Sequence, residues 1–162
     1  MNILFYCENN AELSYIAVHL AEHIFGNRAI VRGASNAPLE IHRGAIDALE
    51  EIGIEGQYSL GNRDFDAGTL DIVITLGDEA GAIAIPNRAR SYHWNIPNSK
   101  LAPSSPTHEE AHEHYRAVRE QLKSRIEVLL SLSDVQLGVS SSEFHGSVRV
   151  ASLPDSVRFY AW

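Results

Sequence analysis

Sulfur is scarce in this chain. Cys7 is its only cysteine, so neither an intrachain disulfide nor a cysteine-rich zinc site can form, and thiol chemistry at Cys7 would need a second sulfur from outside. A reducing compartment suits such a chain. Long hydrophobic runs are also missing: the mostly apolar stretch Met1 to Tyr6 gives way at once to Glu8, Asn9, Asn10 and Glu12, too soon for a signal peptide or a membrane span. Cytoplasmic residence, with no membrane partner, is the resulting expectation. Positive charge is in short supply, with 13 Lys and Arg against 21 Asp and Glu and a formal net charge of −8. No basic stripe stands out to neutralise phosphates, so nucleic acid is not an expected partner, and an acidic balance of this size serves mainly solubility. Internal repeats are absent, no cofactor motif is visible, and no cofactor is expected.

What is present reads as one packed domain. A chain of 162 residues buries roughly 70% of its unfolded surface, and 44% hydrophobic with 21% charged residues is ordinary globular usage. Asn2 to Tyr6 (NILFY) reads as a buried strand, and Ser14 to Phe25 as a helix stopped by Gly26. Ala29 to Arg32 follows as a strand and Pro38 to Ile52 as a helix closed by Gly53. Asp71 to Leu76 (DIVITL) and Ser91 to Trp94 (SYHW) read as two further strands, with Gly77 to Arg90 a loop between them. Thr107 can cap a long helix to about Leu130, with Tyr115, Val118, Leu122, Ile126 and Leu129 facing inward. Ser131 to Ser142 reads as a serine-rich linker, and Val148 to Leu153 and Val157 to Trp162 flank the turn signal Pro154-Asp155 as a hairpin.

The alternation predicts an α/β fold, a three-layer sandwich with a four-stranded parallel sheet flanked by helices, plus a C-terminal β-hairpin extension. Residues 1–130 form the domain and 131–162 the extension on this reading. In such sheets ligands bind at the carboxyl ends of the strands, which points to Cys7 to Leu13 (CENNAEL). Backbone N–H groups at a helix N-terminus there can cradle an anion and favour a thiolate, so Cys7 is a candidate nucleophile by location. The competing reading is a small buried residue closing the first strand. Asn10 and Ser14 likewise can simply satisfy backbone groups and cap a helix.

LFYCENNAELS resembles the loop of the low-molecular-weight tyrosine phosphatases and arsenate reductases, where a strand ends in Cys, five residues follow, then Arg and Ser. The aligned positions are Cys7, Leu13 and Ser14, and Asn10 matches the family's loop-shaping asparagine. Val31 to Ser35, Ala45 to Ile54 and Asp71 to Leu76 resemble the family's second strand, the helix before its glycine and the third strand. Tyr92 to Ser99 (YHWNIPNS) is similar to the arsenate reductase branch, in which His-Trp is followed by Asp-Pro. The resemblance spans roughly the first 130 residues, a length suited to one domain.

The same resemblance implies losses. The family's loop arginine clamps the anion, and Leu13 cannot; its general acid is an aspartate, and Asn98 stands there with no proton to give up. Such losses typically cost on the order of 10² to 10³ and 10² to 10⁴ in rate. Glu8 and Glu12 add two carboxylates where a dianion would sit and disfavour a thiolate at Cys7. An intramolecular cysteine relay is excluded by the missing second cysteine. Arg88 and Arg90 are the candidate substitute cations. The expectation is a phosphatase-like binding or regulatory module with catalysis lost or strongly impaired, its candidate loop comprising Glu8, Asn9, Asn10, Ala11, Glu12, Leu13 and Ser14. Its partners would be a small anion or a protein, with a homodimer as one form of assembly. The alternative is an active phosphatase, or a reductase using an external thiol.

His108-Glu109-Glu110-Ala111-His112 spells a zinc-protease pattern. It opens a long helix among Glu109, Glu110 and Glu113, which suits a solvated acidic start favoured by the helix dipole, and a third protein ligand is not evident. No metal is expected.

Overall fold

The computed structural model describes residues 1–37, 40–56, 66–78, 85–86, 88–96, 107–136 and 158–160. The chain begins with β1 (Asn2–Cys7), apolar on both faces, and passes through three residues into α1 (Ala11–Phe25). β2 (Ile30–Ser35) and α2 (Arg43–Glu50) follow, then β3 (Ile72–Leu76), β4 (Arg90–Trp94), α3 (His108–Gln136) and β5 (Arg158–Tyr160). The sheet order is β4-β3-β1-β2-β5: the first four strands run parallel, and β5 joins antiparallel to β2. The expected α/β fold with a four-stranded parallel sheet and flanking helices is therefore present. β5 lies within the second arm of the expected C-terminal hairpin but pairs with β2; the first arm, Val148 to Leu153, lies outside the described residues.

Alternation along β1 divides the core. Ile3, Phe5 and Cys7 join α1, α2 and α3 in the larger apolar cluster, whereas Leu4 and Tyr6 pack with Ala34, Leu70, Val73 and Ile85 on the opposite face. α1 is buried on almost every side, with Leu13, Tyr15, Ile16, Val18, Leu20 and Phe25 at 1% exposure or less. Each such side chain contributes roughly 1.5–3 kcal/mol of transfer free energy, which places this helix at the energetic centre of the fold. Asn10 caps its start and Gly26, at φ 55°, ends it with an N–H to the Glu22 carbonyl. In α3 the stripe Tyr115, Val118, Leu122, Ile126 and Leu129 faces inward as its spacing predicts.

Several element bounds differ from the sequence reading. α1 starts at Ala11 because Asn10, three residues before Leu13, accepts its N–H, so Ser14 lies inside the helix. α2 begins at Arg43, with the His42 imidazole accepting the Gly44 N–H. α3 runs through Ser131–Gln136 into the expected linker; Ser131 and Ser133 return their hydroxyls to the Glu127 and Leu130 carbonyls, which lets serine continue a helix.

α2 and α3 are locked by charge. Arg119, almost fully buried, donates to the Ala48 carbonyl and to Glu51, and Arg116 reaches the same carboxylate at 2.7 Å. These hydrogen bonds, from Arg116 and then Arg119, hold Glu51 down to about 2.

His19 makes the fold acid-sensitive. It is 5% exposed, and burial pulls its pKa from 6.5 down to about 4. The folded imidazole therefore refuses a proton that the unfolded chain accepts, so its contribution is whole above pH 6.5 and falls away from there toward pH 4. That displacement corresponds to about 3 kcal/mol. The neighbouring Glu22 carboxyl, raised by burial, works in the opposite sense but is common to wild type and variant. Urea midpoints measured between pH 7.5 and 4.5 are expected to fall in the wild type and to fall less in His19→Leu; parallel curves for the two proteins would contradict this.

Candidate functional site

The carboxyl ends of the four parallel strands gather Cys7, Ser35, Gly77 and Trp94 at one rim of the sheet. Cys7 is in register with Ser35, and Gly77, at φ 119°, lies close enough that a Cβ there would stand 3.8 Å from the Cys7 sulfur. A positive φ at this turn favours glycine. Cys7 itself is only 3% exposed.

Only Glu8, Asn9 and Asn10 separate the strand from the helix, so the loop is shorter than the five-residue cradle the resemblance implied. Ala11, Glu12, Leu13 and Ser14 are all helical. Leu13, aligned with the family's arginine, sits in the first turn at 1% exposure within the apolar cluster. Ser14 is fully buried and returns its hydroxyl to the Ala11 carbonyl at 3.0 Å, a backbone role. Asn10 accepts the Leu13 N–H at 3.3 Å.

Two phenols stand near the acidic residues of this region. Tyr6 is driven up to about 12, first by burial and then by the negative charges of Glu8 and Cys7. Its hydroxyl accepts from the Asn36 amide at 3.0 Å. Tyr115 donates to Glu12 at 3.5 Å, a long bond, and burial followed by the Glu12 charge pushes its phenol upward. Ser35 accepts the Ala37 N–H, which tightens the turn after β2. Sequence reasoning missed Ser35 and Gly77 as neighbours of Cys7 and the Tyr6–Asn36 pair on the opposite face of the sheet; the usable signal was that each lies at or just beyond a strand's carboxyl end. Tyr115 was legible only as a core residue.

The two candidate cations stand at the other end of the sheet. Arg88 pairs with Asp71 at 3.1 Å, and Asp71 also takes the N–H of Asn2, the first residue of β1. Arg90 opens β4 in register with Ile72. A strand of this length separates them from Cys7 by roughly 15 Å, so the structure does not bring Arg88 or Arg90 to the loop. At the candidate rim, Arg43 is held by Asp47 at 2.7 Å and Glu50 at 2.9 Å. The register of β5 sets residue 158, an arginine, opposite Ser35. Asn98 lies outside the described residues.

The HEEAH segment takes a structural part. His108 contacts Asp47 at 2.8 Å across the α2–α3 seam, and among the described residues no group of three or more His, Cys, Asp or Glu is placed to hold a metal ion. No described helix is long and apolar enough to cross a membrane.

No protein-family model matches the sequence, and no curated protein matches it. Solved structures do. An arsenate reductase in its phosphate-binding state is 25% identical, with a TM-score of 0.60 over 81% of this chain and 97% of the other. A thioredoxin-dependent arsenate reductase from Corynebacterium glutamicum, also 25% identical, gives 0.60 over 85% of this chain and 63% of that longer one. A mutant of YwlE from Bacillus subtilis, at 17% identity and a TM-score of 0.52, shares the fold over 80% of this chain and 99% of its own.

The burial of Leu13 yields two expectations. Leu13→Arg, which would restore the aligned residue, forces a charge into the core and destabilises by more than the roughly 2–5 kcal/mol of Leu13→Ala; denaturant melts of both variants measure the difference. Cys7 in the native chain is expected to react with a water-soluble aromatic disulfide at least about 100-fold more slowly than in urea, because the sulfur must first be uncovered. Equal rates would show an accessible thiol.

Proposed function

Because the chain shares the fold of the low-molecular-weight tyrosine phosphatase and arsenate reductase superfamily, we propose that it is a binding or regulatory module on that scaffold, with phosphate-ester hydrolysis and arsenate reduction lost or strongly impaired. The carrying observation is Leu13, an apolar side chain packed into the core at the position where the resemblance calls for an anion-clamping guanidinium. Catalysis of this class stabilises charge that develops on the transferred group, and a fixed cation in a water-poor site supplies most of it. Glu8 and Glu12 face the loop region with charge of the wrong sign.

The loss of clamp and general acid together removes roughly 10⁴ to 10⁷ in rate, which would bring a modest enzyme near the uncatalysed background. The scaffold then retains a helix N-terminus beside a buried thiol at the carboxyl end of β1, a place that suits a small anion of low charge or a segment of a protein partner.

A second reading keeps activity. The register of β5 brings an arginine to the position across β2 from Cys7, and a solved relative is described as a thioredoxin-dependent arsenate reductase, which uses an external thiol source. In that reading Cys7 is the nucleophile and the C-terminal strand delivers the cation.

Purified chain is expected to hydrolyse an aryl phosphate at a rate indistinguishable from Cys7→Ser, and to reduce no arsenate with thioredoxin or a small thiol as donor. Turnover that vanishes in Cys7→Ser would overturn the proposal, and its loss in Arg158→Ala as well would establish the second reading.

A further inference from the structure

The sheet ends at β4, and among the described residues no strand pairs with its outer edge. Beside that edge, the C-terminal half of α3 forms the far wall of a groove of about 740 Å³. Tyr92 and Trp94 line it from the strand, and Gln121, Val128, Leu129 and Leu132 from the helix. Val128 and Leu132, one helical turn apart, are 59% and 55% exposed. An unpaired edge beside an exposed apolar stripe is a combination that proteins usually blunt or cover.

The strand is complementary to itself. Arg90, Tyr92 and Trp94 are in register with Ile72, Ile74 and Leu76, so they fall on the helix-bearing face of the sheet. Antiparallel pairing of two copies about Tyr92 sets Arg90 of each opposite Trp94 of the other and Tyr92 opposite Tyr92. A guanidinium over an indole and an aromatic cross-strand pair are both favourable. Charge selects the same orientation. Arg88 is paired with Asp71, and Arg90 is the exposed cation on the strand itself. An antiparallel pair places the two Arg90 side chains at opposite ends of the seam, whereas a parallel in-register pair sets them side by side.

We propose that this groove is filled by a second copy of the chain, forming a two-fold homodimer whose sheet is continuous through β4. The exposed Val128 and Leu132 of each α3 then meet across the axis. Such isologous edge pairing satisfies the open backbone groups of β4 and buries the apolar stripe in one step. It is independent of any chemistry at Cys7.

Sedimentation equilibrium of the full chain from about 1 to 200 μM is expected to show a monomer–dimer equilibrium. Val128→Glu with Leu132→Glu weakens the dimer by roughly 100-fold while the thermal transition of the monomer is retained, since both positions face solvent in one copy. Arg90→Asp weakens it by about tenfold, because the cation over the other copy's Trp94 is lost. A monomer throughout that range overturns the proposal and leaves the edge to a strand of a different protein; a dimer indifferent to the two glutamates overturns it as well.

Discussion

Everything about the candidate site depends on the burial of α1. That helix lies between the sheet and α3 with its side chains enclosed on almost every side, so neither its axis nor its first turn can move without opening the core. Asn10 fixes where the helix starts, and from that point the side chains of Ala11, Leu13 and Ser14 follow by helical geometry. A residue at position 13 is thereby directed inward. An apolar side chain there stabilises the fold, while an arginine would have to carry its charge into the core or unwind the first turn to escape. Leu13 is thus coupled to packing: it strengthens the helix that follows the Cys7 turn.

Charge at both ends of the sheet is largely paired. At the amino ends Asp71 ties Arg88 to the first residue of β1, and Arg43 at the start of α2 is held by Asp47 and Glu50. Glu8 and Glu12 flank the short turn between β1 and α1, so the carboxylates nearest Cys7 in the chain disfavour a further negative charge there.

The polar groups near Cys7 are coupled to the core as well. Tyr6 and Tyr115 hold their protons tightly because burial penalises the phenolate, and the carboxylates of Glu8 and Glu12 add to this. These phenols act as hydrogen-bonding partners at neutral pH and have little capacity to shuttle protons. The α2–α3 seam, by contrast, uses ionised groups: Glu51 stays charged to about 2 because Arg116 and Arg119 converge on it, which locks the helix pair that supports α1.

The amino-acid order alone settled the strand–helix alternation, the parallel sheet, the inward stripe of α3 and the location of Cys7 at a strand's carboxyl end, because these follow from local periodicity and from turn residues. It also set Leu13, by resemblance, at the position where the family carries an arginine. Only the tertiary structure decided that Arg88 and Arg90 lie at the other end of the sheet, that Leu13 is a core residue, and that Ser35 and Gly77 stand beside Cys7 while Tyr6 and Asn36 pair on the opposite face. It likewise decided that β5 pairs with β2 and that β4 is the last strand of the sheet among the described residues. Each of these depends on strand order and register, which arise from contacts between segments far apart in the chain, and no local pattern encodes the distance between two such segments.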